Sequence, residues 1–148
     1  MSSRRPSARP SSRPERRATS RPRPRIVGRE LELGEHRGPL YSGAVHYWRL
    51  APEAWARCID ETKNLGFDII ETYVPWGIHE LGAGVFDFGE RDPRKSLGRF
   101  LDLMHERDVR AIVRPVPHIN AEMTYFGLPE RIVYDSACQA RSPRDNAV

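Results

Sequence analysis

Two stretches decide the fold: Glu71 to Glu80, ETYVPWGIHE, and Arg114 to Glu122, RPVPHINAE. Each runs out of a short apolar segment, Phe67 to Tyr73 in the first case and Val109 to Val113 in the second. Each then turns at once into proline, aromatic, histidine and carboxylate residues. A buried strand that breaks at proline into a polar loop is the βα junction of a parallel sheet.

The segments around them fit that pattern. Upstream, Trp55, Cys58, Ile59 and Thr62 recur at i, i+3, i+4 and i+7, Pro52 suits a first helical turn, and Gly66 suits a left-handed end. Between the two stretches, Leu97, Phe100, Leu101 and Met104 repeat the same spacing, with Asp92-Pro93 as a cap and first-turn proline. Leu40 to Tyr47 is expected as a first strand ending in His46, Tyr47, Trp48 and Arg49. Ile26-Val27 and Glu30 to Leu33 form a hairpin or lead-in strand, and Glu35 to Pro39 (EHRGP) supplies turn residues. Gly82 to Glu90 (GAGVFDFGE) is expected to be a loop clamped by its two phenylalanines, and Pro129 to Val133 a single helical turn.

Strands alternating with amphipathic helices imply an α/β architecture with parallel strands and external helices. Apolar strands without clean alternation suit a sheet buried on both faces. A closed TIM (β/α)8 barrel takes roughly 250 residues. The 148 residues here therefore supply about the first three βα units of an incomplete barrel. The open edges and uncovered apolar faces of such a piece predict aggregation in isolation.

Charge is unevenly distributed. Residues 1–25 hold nine Arg, six Ser and five Pro against one acid, Glu15, and carry +8. The remaining 123 residues hold fifteen basic and nineteen acidic side chains, a net −4. The pI near 9.4 thus belongs to a tail that lacks apolar periodicity and is expected to be disordered. A body at residues 26–148 without basic stripes argues against a nucleic-acid partner. Neither arginine pair, Arg4-Arg5 nor Arg16-Arg17, precedes a secretion-type apolar run. No window approaches the ~20 apolar residues of a membrane span. Two distant cysteines, Cys58 and Cys138, give no disulfide framework, so a cytoplasmic location is expected.

In a parallel α/β fold, reactive groups gather where the strands end. The first strand would bring His46 and Arg49 to that rim, the second Tyr73, Trp76, His79 and Glu80, and the third His118, Asn120 and Glu122. A sugar offers flat C–H faces and rings of hydroxyls. Tyr73 or Trp76 could supply an aromatic platform, and Asn120 and Glu122 could grip adjacent hydroxyls. Competing readings remain for several residues. Trp48 and Trp55 fit core packing, Glu71 a paired structural acid, His79-Glu80 a loop anchor, and Arg114 either a buried ion pair or a substrate contact. The histidines lack HxH or HExxH spacing, so no metal and no cofactor is expected.

These residues carry a resemblance to a known family. SGAVHYWRL, KNLGFDIIETYVPWGIHE, GVFDF, RPVPHINAE and FGLP, spread in order from Tyr41 to Pro129, resemble the opening of the catalytic barrel of glycoside hydrolase family 35, the β-galactosidases. The resemblance implies a retaining hydrolase of terminal β-galactosides that uses one carboxylate as acid/base and another as nucleophile. It implies that Tyr73, Asn120, Ala121 and Glu122 contact galactose, with Glu122 binding rather than catalysing. His46, Arg49 and Trp76 complete the expected sugar site. The family's acid/base follows the fourth barrel strand and its nucleophile the seventh. No catalytic residue is therefore expected within this chain, and the alternative is a non-catalytic remnant with weak sugar binding. Gly77, Val116, His118, Asn120 and Met123 stand where the family commonly has asparagine, glycine, tyrosine, cysteine and tryptophan. These changes surround the sugar pocket and bear on which sugar it takes.

Overall fold

The computed structural model describes residues 23–120 and 122–138. The expected tail lies outside the described residues up to residue 22, and Arg25 already opens a strand. The chain divides into two compact units between Leu40 and Tyr41.

The first unit contains an antiparallel meander of β1 (Arg25–Val27), β2 (Glu30–Leu33) and β3 (His36–Gly38). Gly28 and Gly34 make its turns at φ +66° and +63°, values a glycine reaches without a Cβ clash. β3 corrects the expectation of a simple turn across residues 35–39. Leu31 pairs with Gly38 and Leu33 with His36, so once Gly34 reverses the chain, ladder pairing captures residues whose composition suggests a loop. Arg37 Nε donates to Glu30 Oε2 at 2.9 Å across the exposed surface.

The second unit is built on a parallel sheet in the order β4 (Gly43–Ala44), β5 (Ile69–Pro75) and β8 (Arg110–Val116). The first expected strand, Leu40 to Tyr47, is much shorter in the ladder. Only Gly43 and Ala44 pair, opposite Ile70 and Glu71, before Val45 N–H donates to the Glu71 carbonyl and Tyr47–Arg49 wind into a 3-10 turn. The third strand runs past its expected end through Pro115, which an edge position tolerates because its missing N–H faces away from β5.

Both expected helices form. α1 (Pro52–Asn64) starts on Pro52 and ends where Gly66 adopts φ +95°. α3 (Leu97–Glu106) follows a 3-10 turn at Pro93–Lys95. Asp92 caps that turn, accepting from the Arg94 N–H at 3.0 Å, and not the α-helix itself. Trp55 and Ile59 from α1, and Phe100 and Met104 from α3, pack on Val45, Tyr47, Ile70 and Val109 in one core. α1 approaches β4 so closely that a Cβ on Gly43 would lie 2.6 Å from Thr62 Cγ2. Arg107 ties the helices on the outside, donating to Asp60 Oδ1 at 2.9 Å while its carbonyl accepts from Lys63 Nζ.

The loop expected at residues 82–90 contains structure of its own. After the single helical turn α2 (Trp76–His79), β6 (Glu80–Gly82) and β7 (Val85–Phe86) form a small antiparallel hairpin. Its expected clamps, Phe86 and Phe88, are exposed, and the residue buried in their midst is Asp87. Asp87 accepts backbone N–H groups from Gly89 (3.0 Å), Arg91 (3.1 Å) and Asp92 (3.1 Å). Carboxylate-to-backbone bonding holds this loop where phenylalanine burial was expected. A last turn, α4 (Glu130–Val133), matches the helical turn expected there. Among the described residues no helix is long and apolar enough to cross a membrane. Cys58 and Cys138 are free thiols.

The architecture is α/β, with strands and helices alternating as expected, and no closed barrel forms among the described residues.

Candidate functional site

Strand alternation separates the two faces of the parallel sheet. Ile70 faces the helices and the core, so Glu71 and Tyr73 project from the opposite face. The ladder pairs Ala44 with Glu71 and Tyr73 with Arg114, which brings these groups onto that same polar face. Glu71 and Tyr73 are half-buried, and Arg114 is exposed.

The side chains there form a continuous stack. The Arg49 guanidinium lies 4.6 Å from the Trp48 ring centre. Trp48 stacks on His46 at 5.5 Å and 9°. His46 leans on Tyr73 at 5.0 Å, and the Arg114 guanidinium lies 4.6 Å from the Tyr73 ring centre. A cation thus closes each end of three consecutive rings. Arg114 Nη1 also donates to Tyr73 Oη at 2.9 Å and lies 3.7 Å from Glu71 Oε2.

His46 sits at the middle of the stack, and its buried Nδ1 has no hydrogen-bond partner among the described atoms. Burial lowers its pKa below the ordinary 6.5, and the Arg49 charge lowers it further against weaker pulls from Glu71 and Glu122. The ring is therefore neutral at pH 7, with a proton on one nitrogen and a lone pair on the other.

The remaining sequence-expected residues are placed differently. Trp76 opens α2, where the Arg131 guanidinium lies 5.4 Å from its ring centre. Arg131 also grips Glu80 with two bonds, Nε to Oε2 at 3.0 Å and Nη2 to Oε1 at 2.7 Å. That contact holds the Glu80 carboxyl below its ordinary range. Asn120 is exposed, and Ala121 lies outside the described residues. Glu122 is exposed at φ +47° and lines a cavity of about 750 Å³ together with Trp48, Arg49, Glu80, Tyr125 and Arg131. The site thus has two parts, a stack holding His46, Arg49 and Tyr73 and a cavity reached by Arg49 and Glu122.

The loop after β8 is backbone-strained. Glu122, Tyr125 and Phe126 all have φ between +47° and +55°, which costs side-chain-bearing residues free energy and collects at functional sites. It is fastened by the Ile119 N–H donating to the Phe126 carbonyl at 2.8 Å and by His118 stacking on Phe126 at 4.7 Å. Gly77 lies under it. A Cβ there would meet the Leu128 carbonyl oxygen at 2.9 Å and the Gly127 oxygen at 3.1 Å, so no asparagine fits in this arrangement.

His79 anchors a loop. It is fully buried, with Nε2 2.5 Å from the Tyr47 hydroxyl and Nδ1 2.8 Å from the Asp87 carbonyl. A carbonyl can only accept, so Nδ1 carries the proton and Nε2 accepts from Tyr47. Both bonds fit the neutral ring, and burial lowers its pKa below 6.5.

These shifts set the response to acid. His46 and His79 are bases whose folded values are depressed, so stability is complete above 6.5 and declines below it, as the unfolded chain binds the extra protons. Asp87, held at about 2 by its backbone N–H donors, contributes above its ordinary 3.8 and loses that contribution as pH falls toward 2. The melting temperature is expected to fall in two stages, one below pH 6.5 and one below pH 4. Circular-dichroism melts from pH 8 to 3 check this, and a flat profile between pH 7 and 5 would refute the histidine stage.

Sequence reasoning overlooked Arg131, gave Trp48 and Glu71 structural readings, and left Arg114 open between an ion pair and a substrate contact. Only the β5–β8 register, which places Arg114 beside Tyr73, could have marked the last pair.

Known proteins are similar to this sequence over part of its length. A β-1,2-glucosyltransferase of Ignavibacterium album is 42% identical over 61% of this chain and 13% of its own length. Beta-galactosidase 11 of Oryza sativa subsp. japonica is 39% identical over 68% of this chain and 12% of its own. An exo-β-D-glucosaminidase of Pyrococcus horikoshii is 35% identical over 72% of this chain and 14% of its own. The chain thus spans about an eighth of the length of these relatives. Residues 30–146 match the profile of Glycosyl hydrolases family 35. With most of its length inside that match, the chain belongs to glycosyl hydrolase family 35.

Proposed function

We propose that this chain supplies substrate-binding residues of a β-galactosidase-type barrel whose whole-protein reaction is hydrolysis of terminal β-galactosides. Tyr73, Asn120, Ala121 and Glu122 grip the sugar, and His46, Arg49 and Trp76 shape the rim. The observation that carries the reading is the stack of His46, Trp48 and Tyr73 at the strand ends in a chain of this family.

Two carboxylates about 5–5.5 Å apart are needed for a retaining hydrolase. Glu71 faces Arg114 and Glu80 is held by Arg131, which suits structural acids. The family resemblance puts the acid/base after a fourth barrel strand and the nucleophile after a seventh, so this chain alone is expected to be inactive.

A second reading is favoured by the 42% identity to a β-1,2-glucosyltransferase: a glucose-configured ligand in the same place. Calorimetric titration of the purified chain with D-galactose, D-glucose and D-glucosamine separates the two. Saturable binding strongest for D-galactose, without turnover of a nitrophenyl β-galactoside, is the expected result. Preference for D-glucose would install the second reading, and binding of none would defeat both.

A further inference from the structure

We infer that Arg114 is a positioning residue that aims the Tyr73 hydroxyl at substrate, an inference that rests on the sugar site proposed above. The register sets the pair side by side on adjacent parallel strands. Arg114 Nη1 donates to Tyr73 Oη at 2.9 Å while the guanidinium carbon lies 4.6 Å from the ring centre. One cation therefore fixes both the oxygen and the plane of the phenol.

The chemistry follows from which group can donate. A guanidinium has only N–H donors, so Tyr73 Oη must accept from it. The single hydroxyl hydrogen is then left over and is available to an acceptor such as a sugar hydroxyl oxygen. His46 limits the ring from another direction at 5.0 Å. Glu71 Oε2, 3.7 Å from Arg114 Nη1, steers the guanidinium. With Arg114 47% exposed, that ion pair orients more than it stabilises. Tyr73 and Arg114 both lie outside the hydrophobic core, so substituting Arg114 is expected to leave that core intact. Lysine cannot replace this arrangement, because an ammonium is a point donor without the planar fork.

The test uses the 148-residue protein carrying 3-fluorotyrosine, with Tyr73→Phe identifying the Tyr73 fluorine resonance by its loss. Arg114→Met and Arg114→Lys are each expected to shift or broaden that resonance without sugar, while the melting temperature stays within a few degrees of wild type. An unmoved resonance in both variants overturns the inference. Affinity for D-galactose should fall up to roughly tenfold in Arg114→Met, the size of the one neutral hydrogen bond from the Tyr73 hydroxyl to the sugar that is no longer aimed. In a Tyr73→Phe background the same change should cost less than about twofold, because its route to the sugar is already gone. Full additivity would overturn the inference. A resonance moved in both Arg114 variants, with no binding of D-galactose by the wild-type protein, would support the Arg114–Tyr73 placement and defeat the galactoside reading instead.

Discussion

Replacing Trp55 with alanine is expected to remove about 3–5 kcal/mol of stability, a large share of the roughly 5–15 kcal/mol that a domain possesses. Trp55 has no exposed surface and stands between the two helices and the sheet. Its ring meets Phe100 edge-on at 5.7 Å and Tyr47 at 6.4 Å, and its Nε1 donates to the Tyr47 carbonyl at 3.0 Å. Alanine would leave a void where these rings meet and remove one of the two donors to the Tyr47 carbonyl, the Leu50 N–H at 3.1 Å remaining. Trp55→Phe keeps most of the volume and loses only the hydrogen bond, so about 1–2 kcal/mol is expected there. Urea unfolding followed by circular dichroism measures both. A Trp55→Ala midpoint indistinguishable from wild type would mean that the core is assembled differently.

The second large effect concerns His79. His79→Ala leaves the Tyr47 hydroxyl and the Asp87 carbonyl without their partners inside the protein, at a cost of about 2–4 kcal/mol. The damage should be local first. Without its histidine the hairpin at residues 80–86 loses its attachment to the core, and limited proteolysis should cut between residues 81 and 91 before the sheet unfolds. The same variant should lose part of the stability change below pH 6.5. Unchanged protease resistance in that segment would show that Asp87 and Glu80 hold the loop unaided.

These two predictions mark where sequence reading succeeded and where it stopped. Trp55, Ile59, Phe100 and Met104 repeat at helical spacing, and that period records which face of each helix is buried. α1 and α3 were therefore legible, and the central strand, expected at Phe67 to Tyr73, forms two residues later at Ile69–Pro75 with Pro75 still paired to Val116. The first strand was overestimated because apolar residues from Leu40 to Tyr47 suggest a strand whether or not a neighbour pairs with them. β5 offers partners only to Gly43, Ala44 and the Val45 N–H. The loops were legible least. The bonds of Asp87 to three backbone N–H groups and of Glu80 to Arg131, 51 residues away, leave no periodic trace.

The candidate site divides in the same way. Tyr73 and His46 were marked by their place at strand ends, and they meet at 5.0 Å. Trp48 was read as packing, and it does pack against the core while also joining the stack and lining the cavity. Arg114 stayed ambiguous because its partner depends on the register between two strands some forty residues apart. Trp76 was read as a sugar platform, and the Arg131 guanidinium lies over its ring.

The central claim is that the polar face of the parallel sheet meets the sugar while the opposite face is structural. Residue-resolved NMR during a D-galactose titration tests it most directly. The account predicts saturable shifts at His46, Trp48, Tyr73 and Arg114, with the Trp55 indole and Phe100 unmoved. Shifts confined to α1 and α3, or none at any of the stacked residues, would contradict it.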